Sequence, residues 1–150
     1  MPNKILIVED NEYKRTRIKE LICSEFPDCD ITECYSFTSA WKLISNSIFD
    51  LLLLDMSLPT FDKTDSDPGG AFRVFGGKEL ARKIKRRDIK TKFLFITQYK
   101  SFSDSTSSLS FEGLKKELLS QYKSECLGFI LYSNTASEWR EDLVKHIKEL

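Results

Sequence analysis

Four consecutive leucines constrain the fold of this chain more than any other feature. Leu51–Leu54 lies between two acidic residues, Asp50 and Asp55. A run so short and so apolar is typical of a strand covered on both faces, as the strands of parallel sheets are. Such a strand needs helices above and below it.

Apolar runs and amphipathic segments alternate along the rest of the chain. Residues 12–25, for example, place Ile18, Leu21 and Ile22 at helical spacing among charged residues. The predicted strands lie at 5–8, 30–35, 51–54, 93–96 and 127–132, and the predicted helices at 12–25, 37–47, 78–87, 111–123 and 136–150. This order predicts a doubly wound α/β fold, in which a five-stranded parallel sheet has helices on both faces.

Composition narrows the class of protein without naming a function. The 150 residues include 23 basic and 23 acidic side chains, and the length predicts one domain over residues 1–150. Balanced charge argues against a dedicated nucleic-acid binder, and no apolar run approaches the roughly 18–20 residues of a membrane span. The four cysteines form no CxxC pair and the only histidine is His146, which makes a zinc site improbable. We expect a cytoplasmic protein with free thiols.

Polar residues follow three of the predicted strands. Glu9 and Asp10 follow the first strand, Asp55 follows the third, and Thr97 ends the fourth. Ligands of open parallel sheets bind beyond the carboxyl ends of the strands, so these side chains are candidates for one site. Three carboxylates at close range need a cation, and Mg²⁺ suits oxygen ligands. The alternative is that the acids cap helices, as Asp10 could at the start of the first one.

Four segments carry a resemblance to a known family: KILIVED (Lys4–Asp10), LLLLDMSLP (Leu51–Pro59), FLFIT (Phe93–Thr97) and GFI (Gly128–Ile130). Together they resemble the receiver domain of two-component response regulators over essentially the whole chain. The resemblance implies a flavodoxin-like (βα)₅ fold, in agreement with the pattern of strands and helices.

The resemblance also implies a phosphorylation site. Asp55 would be the phosphoacceptor, and Mg²⁺ would be held by Glu9, Asp10, Asp55 and the backbone carbonyl of Ser57. Thr97 would donate its hydroxyl to a phosphoryl oxygen.

Two positions of the fifth predicted strand bear on switching. Phe129 would be the aromatic residue that rotates inward when the threonine moves, although a plain core position is an equal alternative. Tyr132 stands where the family has a lysine that pairs with the phosphoacceptor. Tyrosine can donate one hydrogen bond but carries no charge. Lys14 and Lys100 are candidate substitutes, although we expect both to be solvated.

Two insertions depart from the family pattern, at about 60–77 and about 101–112. The first contains Asp62, Asp65 and Asp67, and we interpret it as a polar lid or a partner-docking loop beside the metal site. The second is Ser-rich and remodels the face that receivers use for output.

The favoured interpretation is a stand-alone receiver with no independent enzymatic turnover. It would accept a phosphoryl group from a histidine kinase or phosphotransfer protein, then signal to a downstream protein effector or act as a phosphate shuttle or sink. We expect no direct nucleic-acid or membrane contact, and a homodimer is possible. The alternative is a pseudo-receiver, an interaction module regulated by binding and not by phosphorylation.

Two further classes are disfavoured by particular residues. A haloacid-dehalogenase-like phosphatase needs a second acid two residues after its nucleophile, where this chain has Ser57. A flavin site on this fold needs a phosphate-binding loop after the first strand, but residues 8–11 are acidic.

Overall fold

The fold is a three-layer α/β arrangement, seen in a computed structural model that describes residues 2–150. In chain order the elements are β1 (Lys4–Val8), α1 (Glu12–Glu25), β2 (Asp30–Cys34), α2 (Phe37–Asn46), β3 (Leu51–Leu54), β4 (Leu58–Pro59), β5 (Phe72–Arg73), α3 (Gly76–Arg86), β6 (Lys92–Thr97), β7 (Ser101–Ser103), β8 (Ser108–Ser110), α4 (Phe111–Gln121), β9 (Cys126–Leu131) and α5 (Glu138–Lys148). Among these residues, no helix combines the length and the apolar character that crossing a bilayer requires.

Five parallel strands form the main sheet in the order β2-β1-β3-β6-β9. The chain adds β2 on one side of β1 and then returns to add β3, β6 and β9 on the other side. This order is that of flavodoxin-like proteins, whose ligands bind where the direction of winding reverses. The predicted fold class is therefore confirmed, and the reversal lies between β1 and β3.

The leucine run is buried on both faces, as the sequence predicts. Leu52 and Leu54 pack in the core beneath α2, α3 and α4, whereas Leu51 and Leu53 pack in the core beneath α1 and α5. The alternation follows from the two-residue period of a strand. Because β3 lies at the centre of the sheet, the residues that follow it have a rigid support.

The first helix is capped by Asn11 and not by Asp10. The Asn11 side chain caps α1 by accepting a hydrogen bond from the backbone N–H of Lys14, at 2.9 Å. The alternative in which Asp10 caps this helix is therefore wrong. The carboxylate of Asp10 is left at the edge of the sheet.

Two small hairpins accompany the main sheet. Leu58 pairs with Arg73 between β4 and β5, and Ser101 pairs with Ser110 between β7 and β8. Both hairpins follow strands at the carboxyl edge of the sheet, the same edge at which Asp55 lies.

The start of α3 presses against the loop after β3. The backbone N–H of Gly77 donates to the carbonyl of Met56, at 2.8 Å. A Cβ atom on Gly77 would collide with the carbonyl oxygen of Asp55 and lie 3.1 Å from the Cα of Met56. Only glycine permits this close approach, which holds α3 against the backbone of Asp55 and Met56.

Substitution of Gly77 by alanine tests this close approach. We expect Gly77→Ala to lower the free energy of unfolding by about 1–3 kcal/mol, because backbone must shift to admit the methyl group. Gly113→Ala is the control, since Gly113 is exposed in α4 and alanine favours helix by about 0.5–1 kcal/mol. Urea unfolding measures both, and an equal effect of the two substitutions would contradict the packing described here.

Candidate functional site

Three carboxylates meet at the reversal point of the sheet. Val8 at the end of β1 is in register with Leu54 at the end of β3, so the residues that follow lie side by side. Glu9, Asp10 and Asp55 each offer an oxygen within 4.8 Å of the others. Glu9 and Asp55 are buried, and Asp10 is partly exposed. The structure thus brings together the three acids that the sequence places at strand ends.

A buried lysine lies inside this acidic cluster. The Nζ atom of Lys14 is 2.5 Å from Oε1 of Glu9 and 3.4 Å from Oδ1 of Asp55. It also donates to the backbone carbonyl of Ile96 at 2.8 Å, and its side chain is only 1% exposed. The expectation that Lys14 is solvated is therefore wrong. Lys100, the other candidate substitute, is exposed as expected.

The capping of α1 places Lys14 in this position. Asn11 donates its backbone N–H to Oε2 of Glu9 at 3.0 Å and caps the helix through its side chain. Lys14 is the third residue of the helix, so its side chain leaves the first turn next to Glu9. Glu9 and Lys14 are thereby connected twice, through the hydrogen bonds of Asn11 and through their own ion pair.

Burial and mutual repulsion alter the acidity of the cluster. Burial raises the pKa of Glu9 to about 8, with a further contribution from the charge of Asp55 and an opposing one from Lys14. Burial likewise raises the pKa of Asp55. Burial acts to lower the pKa of Lys14, but the charges of Asp55 and Glu9 outweigh it and the pKa is raised. Lys14 is therefore charged, and its one positive charge cannot neutralise all three carboxylates when they are ionised.

The residues present fit a divalent metal ion. With all three carboxylates ionised, the cluster and the one ammonium group would carry two net negative charges, which is the charge that one Mg²⁺ balances. Oε1 of Glu9 is buried and accepts no hydrogen bond of good geometry, although it is ion-paired with Lys14. Hard oxygen donors with unmet negative charge are what Mg²⁺ takes in proteins.

Thr97 and Ser57 lie on the strand and the loop next to the cluster. Thr97 ends β6 and is fully buried, and its hydroxyl accepts a hydrogen bond from the backbone N–H of Tyr99 at 3.3 Å. Ser57 is buried two residues beyond Asp55, and its hydroxyl donates to the carbonyl of Val74 at 2.8 Å.

Phe129 is part of an aromatic cluster beneath α4. Its ring centroid lies 5.5 Å from that of Phe95 and 4.9 Å from that of Phe111. Phe111 is the first residue of α4. The side chain is thus packed inward and connects β9 to the start of this helix.

Tyr132 packs beside Lys14, and both lie on the face of the sheet opposite to that of Phe129. Its ring centroid is 4.9 Å from that of Trp139 in α5 and 5.7 Å from Nζ of Lys14. Its hydroxyl accepts a hydrogen bond from Arg17 at 3.3 Å. At the position where the resemblance places a lysine, the ring of Tyr132 therefore packs beside a lysine that comes from α1.

The first insertion reaches the acidic cluster through a lysine and not through its acids. Asp62, Asp65 and Asp67 are all exposed, and Asp67 accepts a hydrogen bond from Gly69 within the loop itself. Lys63, whose side chain is 55% exposed, lies 3.1 Å from Oδ2 of Asp10. An exposed ion pair of this kind contributes about 1 kcal/mol or less.

Sequence reasoning missed the burial of Lys14 and the part played by Arg17. Both lie in a helix rich in charged residues, where solvation is the ordinary expectation. One signal was available: Lys14 lies in the first turn of a helix that starts directly after the acids, on the side of the sheet where Ile18 and Ile22 are buried.

Comparison with known proteins agrees with this geometry. The sequence profile of the response regulator receiver domain matches residues 5–115. The Detocs response regulatory protein DtcB of Enterobacter cloacae (strain JD6301) is 33% identical over 149 residues, which are 98% of this chain and 99% of that protein.

Two solved structures show the same fold. The response regulator TrrA from Thermotoga maritima, in complex with Mg²⁺ and BeF, has a TM-score of 0.59 and 21% identity over 96% of this chain and 98% of its own. A CheY-like receiver domain protein from Methanospirillum hungatei JF-1 has a TM-score of 0.62 and 21% identity over 99% of this chain and 93% of its own.

The family is one of signalling domains, which are generally not enzymes. Receiver domains bind Mg²⁺ at an acidic pocket, and they interact with kinases or phosphotransfer proteins and with effectors. The profile match covers well over half of the chain. The sequence motifs, strand order and acidic cluster of the chain agree with this family. This chain belongs to the response regulator receiver domain family.

Proposed function

We propose that this chain is a receiver that accepts a phosphoryl group on Asp55 in a Mg²⁺-dependent reaction. The observation that carries the proposal is the convergence of Glu9, Asp10 and Asp55 at the reversal point of the sheet. We further propose that residues 1–150 act as a single receiver-like domain, with insertions at about 60–77 and about 101–112.

The transfer would proceed by displacement at phosphorus. A carboxylate oxygen of Asp55 attacks the phosphorus of a phosphohistidine on the partner, so that a P–O bond forms and the P–N bond breaks. The electron pair of the broken bond returns to the imidazole nitrogen, which takes up a proton. Little covalent assistance from the protein is required, because catalysis of such transfers is mostly positioning and charge stabilisation.

The chain's own residues would bind the metal and orient the nucleophile. Glu9, Asp10 and Asp55, with the backbone carbonyl of Ser57, would hold Mg²⁺. When bound there, the ion balances the charge of the carboxylates and of the phosphoryl oxygens. The backbone N–H of Met56 donates to Oδ1 of Asp55 at 2.8 Å and holds that carboxylate in one orientation.

Thr97 would respond to phosphorylation, whereas the packing of Phe129 favours the plain core position over the switch. The proposed role of Thr97 is to donate its hydroxyl to a phosphoryl oxygen, and its position at the end of β6 supports this. For Phe129, burial against Phe111 supports a fixed link between β9 and α4 more than a freely rotating side chain.

The partners follow from the reaction. A histidine kinase or a phosphotransfer protein would donate the phosphoryl group. The output would be contacts with a downstream protein or onward transfer, as in a phosphate shuttle or sink, and a homodimer is compatible with either. The similarity to a response regulatory protein along nearly the whole of that protein supports a signalling role. We propose a cytoplasmic location and no direct contact with nucleic acid or membrane.

The alternative is a pseudo-receiver whose state is set by binding alone. The replacement of the expected lysine by Tyr132 favours it. This alternative predicts that no phosphodonor labels the protein, so the experiment below separates the two functions.

Labelling by a small phosphodonor tests the proposed phosphoacceptor. Incubated with phosphoramidate and Mg²⁺, the wild-type protein is expected to gain one phosphoryl group per chain, and Asp55→Asn is expected to gain none. Asp88→Asn is the matched control, because Asp88 is an exposed acid at the opposite edge of the sheet. Intact-mass spectrometry measures the gain. Equal labelling of Asp55→Asn and the wild type would refute the assignment.

Metal binding tests the rest of the acidic cluster. Asp10→Asn is expected to weaken Mg²⁺ binding by about tenfold or more, because it removes one negative charge from the donor set. Calorimetric titration measures the affinity, again with Asp88→Asn as the control. An unchanged affinity in Asp10→Asn would place the metal site elsewhere.

A further inference from the structure

We propose that Lys14 is the residue whose ammonium group contacts the phosphoryl group on Asp55, and that Tyr132 holds it in place. The inference rests on the proposed function and adds a residue to it. It assigns to the first helix of this receiver a contact that the resemblance places at the end of the fifth strand of the main sheet.

The contacts of Lys14 are those of a group held beside the nucleophile. An ammonium group has three protons to donate. Glu9 at 2.5 Å and the carbonyl of Ile96 at 2.8 Å fix its position, whereas Oδ1 of Asp55 lies further away, at 3.4 Å. The longest of the three contacts is thus the one with the residue to be phosphorylated. A phosphoryl oxygen on Asp55 would offer this donor a better acceptor.

The environment makes the charge of Lys14 effective. The side chain is almost completely buried, and the electrostatic interaction of a buried charge is much less screened than that of an exposed one. Phosphorylation adds negative charge to a cluster that already holds three carboxylates. A fixed buried ammonium can stabilise this charge without first being desolvated.

The site has room for the ammonium group of Lys14 or for that of a lysine at position 132, but not for both. Its ring lies under Nζ of Lys14 and against Trp139, and Arg17 donates to its hydroxyl. A lysine at position 132 would bring a second ammonium group to the place that Lys14 reaches. Like charges at that distance repel, so one cation is favoured and an aromatic residue fits beside it.

The competing explanation is that Lys14 only stabilises the fold by neutralising buried acids. The two explanations differ in the sign of one effect. If Lys14 contacts the phosphoryl group, its removal weakens binding of an anionic phosphoryl mimic, whereas binding of Mg²⁺ alone is unchanged or tighter because a competing cation is gone. A purely structural role moves both affinities in the same direction.

The experiment titrates beryllofluoride in the presence of Mg²⁺, and Mg²⁺ alone, into the full chain and three variants. Lys14→Gln removes the charge. Lys14→Gln/Tyr132→Lys supplies it from the end of the fifth strand. Lys19→Gln is the matched control, because Lys19 lies on the same helix and pairs with Glu33, away from the cluster. Circular dichroism and thermal unfolding report whether each variant is folded.

We expect Lys14→Gln to lose at least about tenfold in beryllofluoride affinity without losing Mg²⁺ affinity, as for the loss of one charge-assisted contact. The double variant should recover most of the loss, and Lys19→Gln should match the wild type. Equal beryllofluoride binding by Lys14→Gln and the wild type would overturn the inference and leave the proposed function intact. A parallel loss of both affinities in a folded Lys14→Gln would also overturn it.

Two outcomes remain, and each is decisive. If Lys14→Gln is too unstable to titrate, the double variant decides, because it restores the charge: binding supports the inference, and a folded double variant that does not bind overturns it. If the wild-type chain itself binds no beryllofluoride, both the inference and the proposed function fail.

Discussion

The burial of neighbouring carboxylates is the constraint on which this site depends. Glu9 and Asp55 are buried at adjacent strand ends with Asp10 beside them; burial raises the pKa of both, and the charge of Asp55 raises that of Glu9 further. A buried charge is tolerated only when it is paired and hydrogen-bonded. The position of Lys14, and with it the start of α1, follows from this requirement.

The scaffold keeps these acids in place. The buried leucines of β3 fix the strand that leads into Asp55, and Gly77 lets α3 approach the backbone that follows it. Neither feature carries charge or reacts. A site whose chemistry consists mainly of positioning needs such support, because a displacement of about 1 Å can cost as much as 10²-fold in rate.

Much of this could be predicted from the sequence, and the exceptions have a common physical cause. Strand and helix positions, the fold class and the meeting of the acids follow from local periodicity and from the rule that parallel strands end at one edge. The burial of Lys14 does not, because it depends on the carbonyl of Ile96, 82 residues away along the chain. The packing of Tyr132 beside Lys14 does not follow from local sequence for the same reason, because it depends on how α1, β9 and α5 pack together. In the first insertion, composition pointed to the acids, whereas it is Lys63 that lies beside Asp10 in the folded chain.

A structure of the protein with Mg²⁺ and beryllofluoride tests the central claim most directly. The account predicts beryllium bonded to a carboxylate oxygen of Asp55, with Nζ of Lys14 within hydrogen-bonding distance of a fluorine atom. Beryllofluoride bound away from Asp55, or a cation other than Lys14 in contact with the fluorines, would contradict it.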